Sequence, residues 1–364
     1  MCWSGTVDNG IVVKVNRSSS YPILFREDKF GSVQDLFIGE TEPKKVFIVS
    51  ERNVSDTFMP DLTRQVKKLG CAVVEIVLDP GEKSKSWGAS EYLIRALREN
   101  GAERRSVIIG LGGGVICDLV GFVAASFMRS IPYVLIPTSL IGQLDAAIGG
   151  KTGIDFDGVK NLVGSFYHPS SVLIDNTLLA TLSDREMRSG LAEAIKVGVL
   201  YPELFELLEA EAAVGDIRGA YIKDVVRLSV YAKLDLLASD PFETSLFRLL
   251  NLGHLFGHAL ESATGFEVYR HGEAVAIGMG VATRISAHRG LCDAKTLSRI
   301  LRCIEGLGLE TELPHRYAET TWNGVDDIRR IRNGRLLEVL PVSIGRCEIV
   351  DEISRKEFYA AIGL

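Results

Sequence analysis

Three of the chain's six histidines fall within residues 248–273, RLLNLGHLFGHALESATGFEVYRHGE. His254 and His258 are four apart in an apolar run of helical period, so both rings leave one face of a helix. His271 follows a glycine-bearing loop and directly precedes Gly272 and Glu273. Imidazoles gathered in this way suit a divalent metal, because Zn²⁺ takes neutral imidazole and carboxylate ligands. The same spacing also fits buried histidines that only satisfy hydrogen bonds, and the chemistry of the remaining chain weighs against that reading.

A second group is cationic. In LIGQLDAAIGGKTGIDFDGVKNLVGSF (140–166), Asp145, Lys151, Lys160 and Asn161 surround a GGK turn. Lys196 follows Glu193 by three residues in a helical stretch, which puts ammonium and carboxylate on one face. Lys233 stands in another helix ahead of Asp240. One lysine on a helix is ordinarily a solvated one. Lysines set among small and apolar residues suit a grip on phosphate and carboxylate. A third group suits a nucleotide. Gly112, Gly113 and Gly114 lie between a buried strand and a helix, where backbone N–H groups approach a phosphate and the helix N-terminus favours its charge. GGG is not the GxGxxG fingerprint, and a plain strand–helix turn reads the same way. Asp118 reaches a cofactor hydroxyl or simply favours the helix dipole. Glu82 and Lys85 share the polar turn PGEKSK, and Thr138 and Ser139 end a strand where ligands bind in open α/β sheets, or serve the turn alone.

The elements that must hold these groups divide the chain. At 364 residues two domains are expected. From KKVFIVS (44–50) to SVLID (171–175), strands alternate with helices such as WGASEYLIRALRENG (87–101), implying a largely parallel sheet covered on both faces. Beyond 176 the period is helical almost throughout, with β signals returning only in LLEVLPVSIGRCEIV (336–350). The boundary is therefore placed at 175, giving an α/β unit over 1–175 and a mainly α-helical unit over 176–364, with the site in the cleft between them. A hydrophobic content of 46% with 24% charge is that of a globular protein. No apolar run reaches the roughly 18 residues of a membrane helix. The N-terminus lacks the basic-then-apolar order of a secretory signal. Six cysteines without a CxxC pair fit a reducing cytoplasm and argue against a disulfide framework and a cysteine zinc site. A net charge of −6 leaves no nucleic-acid footprint, so an anionic substrate must be drawn in by a local cationic cluster.

The motifs IPTSL (136–140), GGKT (149–152), VKN (159–161), GLAEAIK (190–196), LNLGHLFGHALE (250–261) and HGEAVAIGM (271–279), in that order, resemble the 3-dehydroquinate synthase family of sugar-phosphate cyclases. The resemblance spans about residues 45–350. It implies a Rossmann-like NAD-binding α/β domain followed by a helical metal-binding domain. It further implies Zn²⁺ or Co²⁺ held by Glu193, His254 and His271. NAD is expected at Glu82, Lys85, Gly114, Val115, Asp118, Thr138, Ser139, Lys151, Lys160 and Thr181. Catalysis and substrate contact are expected from Asp145, Lys151, Asn161, Lys196, Lys233 and Asn251, with His258 facing the substrate phosphate or relaying protons. Arg129 matches an arginine that reaches the neighbouring subunit's phosphate site, which implies a homodimer. The implied reaction is a carbon–oxygen lyase cycle: NAD takes a hydride from a metal-polarised alcohol, phosphate leaves by β-elimination, the hydride returns, and an aldol closure makes a carbocycle.

Two positions depart from the family. Phe247 stands where the 3-dehydroquinate synthases carry an arginine for the substrate carboxylate, and Ile328-Arg329-Arg330 replaces an Asp-Lys-Lys motif. Arg329 and Arg330 remain able to grip phosphate. Losing the arginine removes a charge-assisted bond of roughly 1.5–3 kcal/mol. Two substrates therefore stand side by side: a carboxylated heptulosonate phosphate, or a carboxylate-free sugar phosphate of the kind used by 2-epi-5-epi-valiolone or 2-deoxy-scyllo-inosose synthases. A metal-dependent polyol dehydrogenase shares the architecture, but needs no phosphate-gripping lysines. An inert homologue is opposed by the full set Glu193, His254, His271, Lys151 and Lys196.

Overall fold

In the computed structural model, which describes residues 2–7, 10–14, 20–37, 43–238, 240, 249–331 and 336–364, the most apolar segments of the first half form a sheet. β1 (Cys2–Val7) and β2 (Gly10–Lys14) make an antiparallel hairpin, and β3 (Ile23–Arg26) follows. β4 (Lys45–Glu51), α1 (Arg52–Lys68), β5 (Ala72–Leu78), α2 (Trp87–Glu99), β6 (Val107–Gly112), α3 (Gly114–Ser126) and β7 (Tyr133–Pro137) then alternate. β8 (Lys151–Phe156) and β9 (Val159–Phe166) form a second hairpin ahead of β10 (Ser171–Asp175). Six strands pair in parallel in the order β3-β10-β7-β6-β4-β5. β6, β7 and β10 are buried at every residue, which is why they read as unbroken apolar runs. On β4, Val46 and Ile48 join Phe58, Leu62 and Val66 of α1, while Phe47 and Val49 face the other way onto Leu93 and Leu97 of α2 and Ile116 and Val120 of α3.

From β4 the chain steps outward to β5 and then crosses to β6 on the opposite side. That reversal opens a crevice at the carboxyl ends of β4 and β6, where parallel sheets receive their ligands. Glu51 and the Gly112–Gly114 turn lie at those two strand ends.

After β10 the chain turns helical: α4 (Asp184–Leu200), α5 (Pro202–Ala212), α6 (Ile222–Ala238), α7 (His254–Ala263), α8 (His271–His288), α9 (Ala294–Gly306) and α10 (Ala318–Ile331). A hairpin of β11 (Glu338–Ser343) and β12 (Arg346–Val350) and a last helix, α11 (Arg355–Ala361), complete it. α8 lies at the centre, with thirteen of its eighteen residues buried. It presses so closely on α4 that a Cβ at Gly272 would stand 1.9 Å from the Ser189 carbonyl oxygen. This close approach carries His271, the first residue of α8, to the middle of α4. One apolar cluster runs without a break from Leu135 and Ile174 of the sheet to Leu191, Ile195, Val275 and Met279 of the helices.

Three local features differ from the sequence reading. α1 begins at Arg52, directly after the strand-ending Glu51, so the polar Arg52-Asn53 pair after KKVFIVS opens a helix in which Val54 already packs inward. The lysine-rich stretch after the GGK turn is a strand pair: Asp157 and Gly158 have φ of 51° and 77°, as a two-residue turn of the hairpin type demands. α7 starts only at His254, because Gly253 turns the backbone at φ 78° behind a 3₁₀ turn over Leu249–Asn251.

Candidate functional site

Glu193 stands in the middle of α4, wholly buried, and neither of its carboxylate oxygens accepts a well-formed hydrogen bond among the described residues. Lys196, one turn on, is ion-paired to Oε2. His271 Nε2 lies 3.3 Å and His254 Nε2 3.7 Å from Oε1. Ligand bonds of about 2.0–2.2 Å at tetrahedral angles put neighbouring donor atoms about 3.3–3.6 Å apart, so the three side chains fit one shared divalent ion. The far ring nitrogens agree with this. His254 Nδ1 lies 3.3 Å from the Leu252 carbonyl oxygen and His271 Nδ1 3.3 Å from Glu261 Oε2. With Nδ1 donating to these acceptors, each Nε2 would be left to offer its lone pair to an ion lying between the rings and Glu193.

His258 brings a third imidazole, with one nitrogen from each ring within 4.8 Å of the others. It differs from its neighbours in being exposed and in having no hydrogen-bond partner among the described residues. It stacks on His271 at 5.5 Å and meets His254 edge-on at 5.2 Å. Crowding and the His271 imidazole push its pKa down to about 4, so near neutral pH it is an uncharged base. Burial alone would raise the Glu193 pKa, but Lys196 and the two imidazoles outweigh it and hold it well below the usual carboxylate range. Burial and the Lys196 ammonium push His254 well below the ordinary histidine value.

The cationic group assembles on the other side of Lys196. Asp145 sits in a π-helical turn, Gly142–Ala146, a distortion common at functional sites. Gln143 pins that turn to the sheet by donating from Nε2 to the carbonyl oxygens of Pro137 (3.1 Å) and Asp175 (2.7 Å). Lys233, from α6, donates to the Asp145 carbonyl at 2.6 Å and to its Oδ1 at 2.7 Å. Burial raises the Asp145 pKa, but Lys233 and Lys196 bring it down to about 2. Lys196 thus shares its field between Glu193 and Asp145.

The nucleotide-type residues gather at the strand ends. Gly114 opens α3, with Val115 next to it, and a Cβ at Gly112 would come 2.6 Å from Ile116 Cγ1. The Thr138 N–H donates to the Gly112 carbonyl at 2.9 Å, and Ser139 Oγ accepts from the Gly142 N–H at 3.2 Å. Lys85 donates to both Asp118 and Asn161, so Asn161, assigned to substrate from the resemblance, lies here against the nucleotide-type pair. Lys160 bonds Glu261 at 2.9 Å and lies 3.9 Å from Glu82. A Cβ at Gly114 would lie 3.4 Å from Ala146 Cβ, which places the glycine turn against the π-turn that carries Asp145. Lys151 starts β8 with its side chain exposed, the exposed Thr181 ends a 3₁₀ turn, and Asn251 lies three residues before His254.

Three expected substrate residues stand apart. Arg329 bonds Asp326 (2.9 Å) and the Ile353 carbonyl (3.1 Å), and Arg330 bonds Asp327 (2.9 Å), which keeps both arginines on α10. Arg129 is exposed, at the far end of α3. Phe247 lies outside the described residues. Sequence reasoning also passed over three residues that the structure brings in: Glu261, Glu51 and Gln143. Glu261 follows His254 by seven residues, two turns along one helix face, and that spacing was a usable signal. Glu51, whose Oε1 lies 3.4 Å from the Gly113 nitrogen, was marked only by ending a buried strand. Gln143 carried no signal.

Two family models cover most of the chain: 3-dehydroquinate synthase N-terminal over residues 75–189 and 3-dehydroquinate synthase C-terminal over 190–326. The chain is 42% identical to a 2-epi-valiolone synthase of Stigmatella aurantiaca (strain DW4/3-1), over 98% of this chain and 91% of that protein. It is 38% identical to a 3-dehydroquinate synthase of Caldanaerobacter subterraneus subsp. tengcongensis, over 92% and 94% of the two chains. Among solved structures, ValA, a 2-epi-5-epi-valiolone synthase from Streptomyces hygroscopicus subsp. jinggangensis 5008 with NAD⁺ and Zn²⁺ bound, superposes with a TM-score of 0.87 at 30% identity, covering 96% of this chain and 98% of that one. With both of its halves matched and its sheet, helices and histidine cluster arranged as described, the chain belongs to the 3-dehydroquinate synthase family of sugar-phosphate cyclases.

Proposed function

We propose that the protein is an NAD- and divalent-metal-dependent lyase that eliminates phosphate from a seven-carbon sugar phosphate and closes the product to a carbocycle. The observation that carries this reading is the buried Glu193 carboxylate, unmatched by hydrogen bonds and faced by two Nε2 atoms at 3.3 and 3.7 Å. Bound metal supplies polarisation of a substrate hydroxyl and bound NAD a recycled hydride acceptor. Glu193, His254 and His271 hold the metal. Glu82, Lys85, the Gly114–Asp118 turn, Thr138, Ser139, Lys160 and Thr181 hold the dinucleotide at the sheet's switch point, with the boundary between the two working halves at residue 175. Lys151, Lys196, Lys233, Asn161 and Asn251 orient the substrate's phosphate and hydroxyl groups. Asp145, kept ionised by Lys233 and Lys196, steers those ammoniums toward the substrate. His258, neutral and open, takes a proton near the departing phosphate.

Arg129 works in the partner subunit of a homodimer. α3 separates it from the glycine turn by about 20 Å, which puts it out of reach of its own site. It has no ion pair or hydrogen bond among the described residues. Met128, Arg129 and Ser130 take φ of 50°, 65° and 102°, a strain that is usual where geometry serves a function.

Of the two substrate classes, the carboxylate-free one is favoured by Phe247 and by the names of the valiolone-forming relatives. The test is turnover of sedoheptulose 7-phosphate beside the carboxylated heptulosonate phosphate. Phosphate release without net NADH is expected with the former. Turnover of the carboxylated substrate alone overturns the substrate assignment, and stoichiometric NADH release overturns the cyclase in favour of a dehydrogenase.

A further inference from the structure

Behind His271 the cluster continues away from Glu193. Glu261, on α7, is 1% exposed; its Oε2 lies 3.3 Å from His271 Nδ1 and its Oε1 accepts a 2.9 Å bond from Lys160 Nζ. Lys160 is carried by β9, on the α/β half, 3.9 Å from Glu82 and 4.9 Å above the Phe266 ring. A line of polar contacts, Glu82–Lys160–Glu261–His271–Glu193, therefore joins the PGEKSK turn to α7, α8 and α4. A carboxylate buried this deeply is costly unless it is paired, and here both oxygens are engaged. His254 lacks this device: its Nδ1 faces only the neutral Leu252 carbonyl.

We propose that Glu261 is a positioning residue for the metal: it fixes His271 as the Nδ1–H tautomer, aims Nε2 at the ion shared with Glu193 and His254, and is itself held in place by Lys160. The proposal rests on the metal reading above and deepens it. A carboxylate behind an imidazole raises the basicity of the ligating nitrogen and restricts ring rotation. Because the cation that secures this carboxylate comes from the α/β half, the metal grip depends on how the β8–β9 hairpin is seated.

The test uses full-length protein stripped with a chelator and reloaded. Zinc affinity is read by competition with a chromophoric chelator, Co²⁺ geometry by visible absorption, and folding by circular dichroism. E261A is expected to weaken zinc about 10- to 100-fold and to alter the cobalt spectrum. E261Q, nearly the same shape, keeps an acceptor for Nδ1–H but not the charge, and is expected to lose less. K160M shifts affinity in the same direction by a smaller factor. Should E261A fold poorly, E261Q and K160M decide. Wild-type zinc affinity and an unchanged cobalt spectrum in folded E261Q and K160M overturn the proposal while leaving the metal site standing. Equal zinc binding by the wild type and H254A overturns both.

Discussion

The helical end and the strand end of this site are built on opposite principles. Around Glu193 the working groups are buried side chains, each answered by another charge: Glu193 by Lys196, Asp145 by Lys233, His271 by Glu261. Around Gly112–Gly114 the working groups are largely main chain, exposed by strand ends and by the absence of Cβ atoms. In the first, removing one member strands a buried partner, which is far more costly than losing the pair's net contribution. In the second, the glycine turn has no side chain to lose, and it is added atoms that do damage.

The largest expected effect is at the helical end. E193A removes the carboxylate that both Nε2 atoms face and the ion-pair partner of the buried Lys196. Zinc content by atomic emission is expected to fall to background and turnover with it. Retained stoichiometric zinc would break the contrast. At the strand end, G112A places a Cβ 2.6 Å from Ile116 Cγ1, and the overpacking is expected to cost about 1–3 kcal/mol. NAD affinity, read by fluorescence titration, is expected to weaken while zinc content holds. Zinc loss in G112A would show that the two ends are not separable.

The proposed anion grip sharpens the comparison, because Arg129, assigned to it across a dimer, belongs to neither end. R129A and K196M are each expected to be inactive. Mixed and re-equilibrated, they are expected to recover up to about a quarter of wild-type activity, since half the dimers are mixed and each of these holds one intact site. No recovery would place Arg129 in its own subunit. The smallest effect is on acid stability. Asp145 is held at about 2 in the fold against an ordinary 3.8. A depressed carboxyl stabilises the fold fully above its unfolded value, and the gain vanishes as pH falls through the folded one. The difference in urea midpoint between wild type and D145N is therefore expected to be widest near pH 5 and to close toward pH 2.

Much of the helical end was legible because its residue types are rare and its spacings periodic. His254, His258 and Glu193–Lys196 announce shared faces, and His271 stands beside a glycine that close packing requires. The parallel sheet was legible from its unbroken apolar strands. The β8–β9 hairpin was written in Asp157-Gly158, but three of its residues, Lys151, Lys160 and Asn161, were weighed as site chemistry and the turn went unread. The π-turn at Asp145 was not legible, since its tightening comes from Gln143 reaching two strand ends that lie far apart in the chain. Nor was the pairing of Arg329 and Arg330 along their own helix, or the partnership of Asn161 with Lys85.

The chain's order of residues settled which atoms are able to bind a metal, grip phosphate and line a strand, because those capacities belong to side-chain chemistry and to periodicities of two and 3.6. It did not settle which of them meet. Glu261 behind His271, Lys160 crossing from the α/β half and Lys196 shared by two carboxylates are long-range pairings, chosen when α8 presses on α4 and the hairpin seats against α7. Those choices follow from packing, where a hydrogen atom in place of a methyl group at Gly272 decides whether α8 comes close enough to α4 to bring His271 to Glu193.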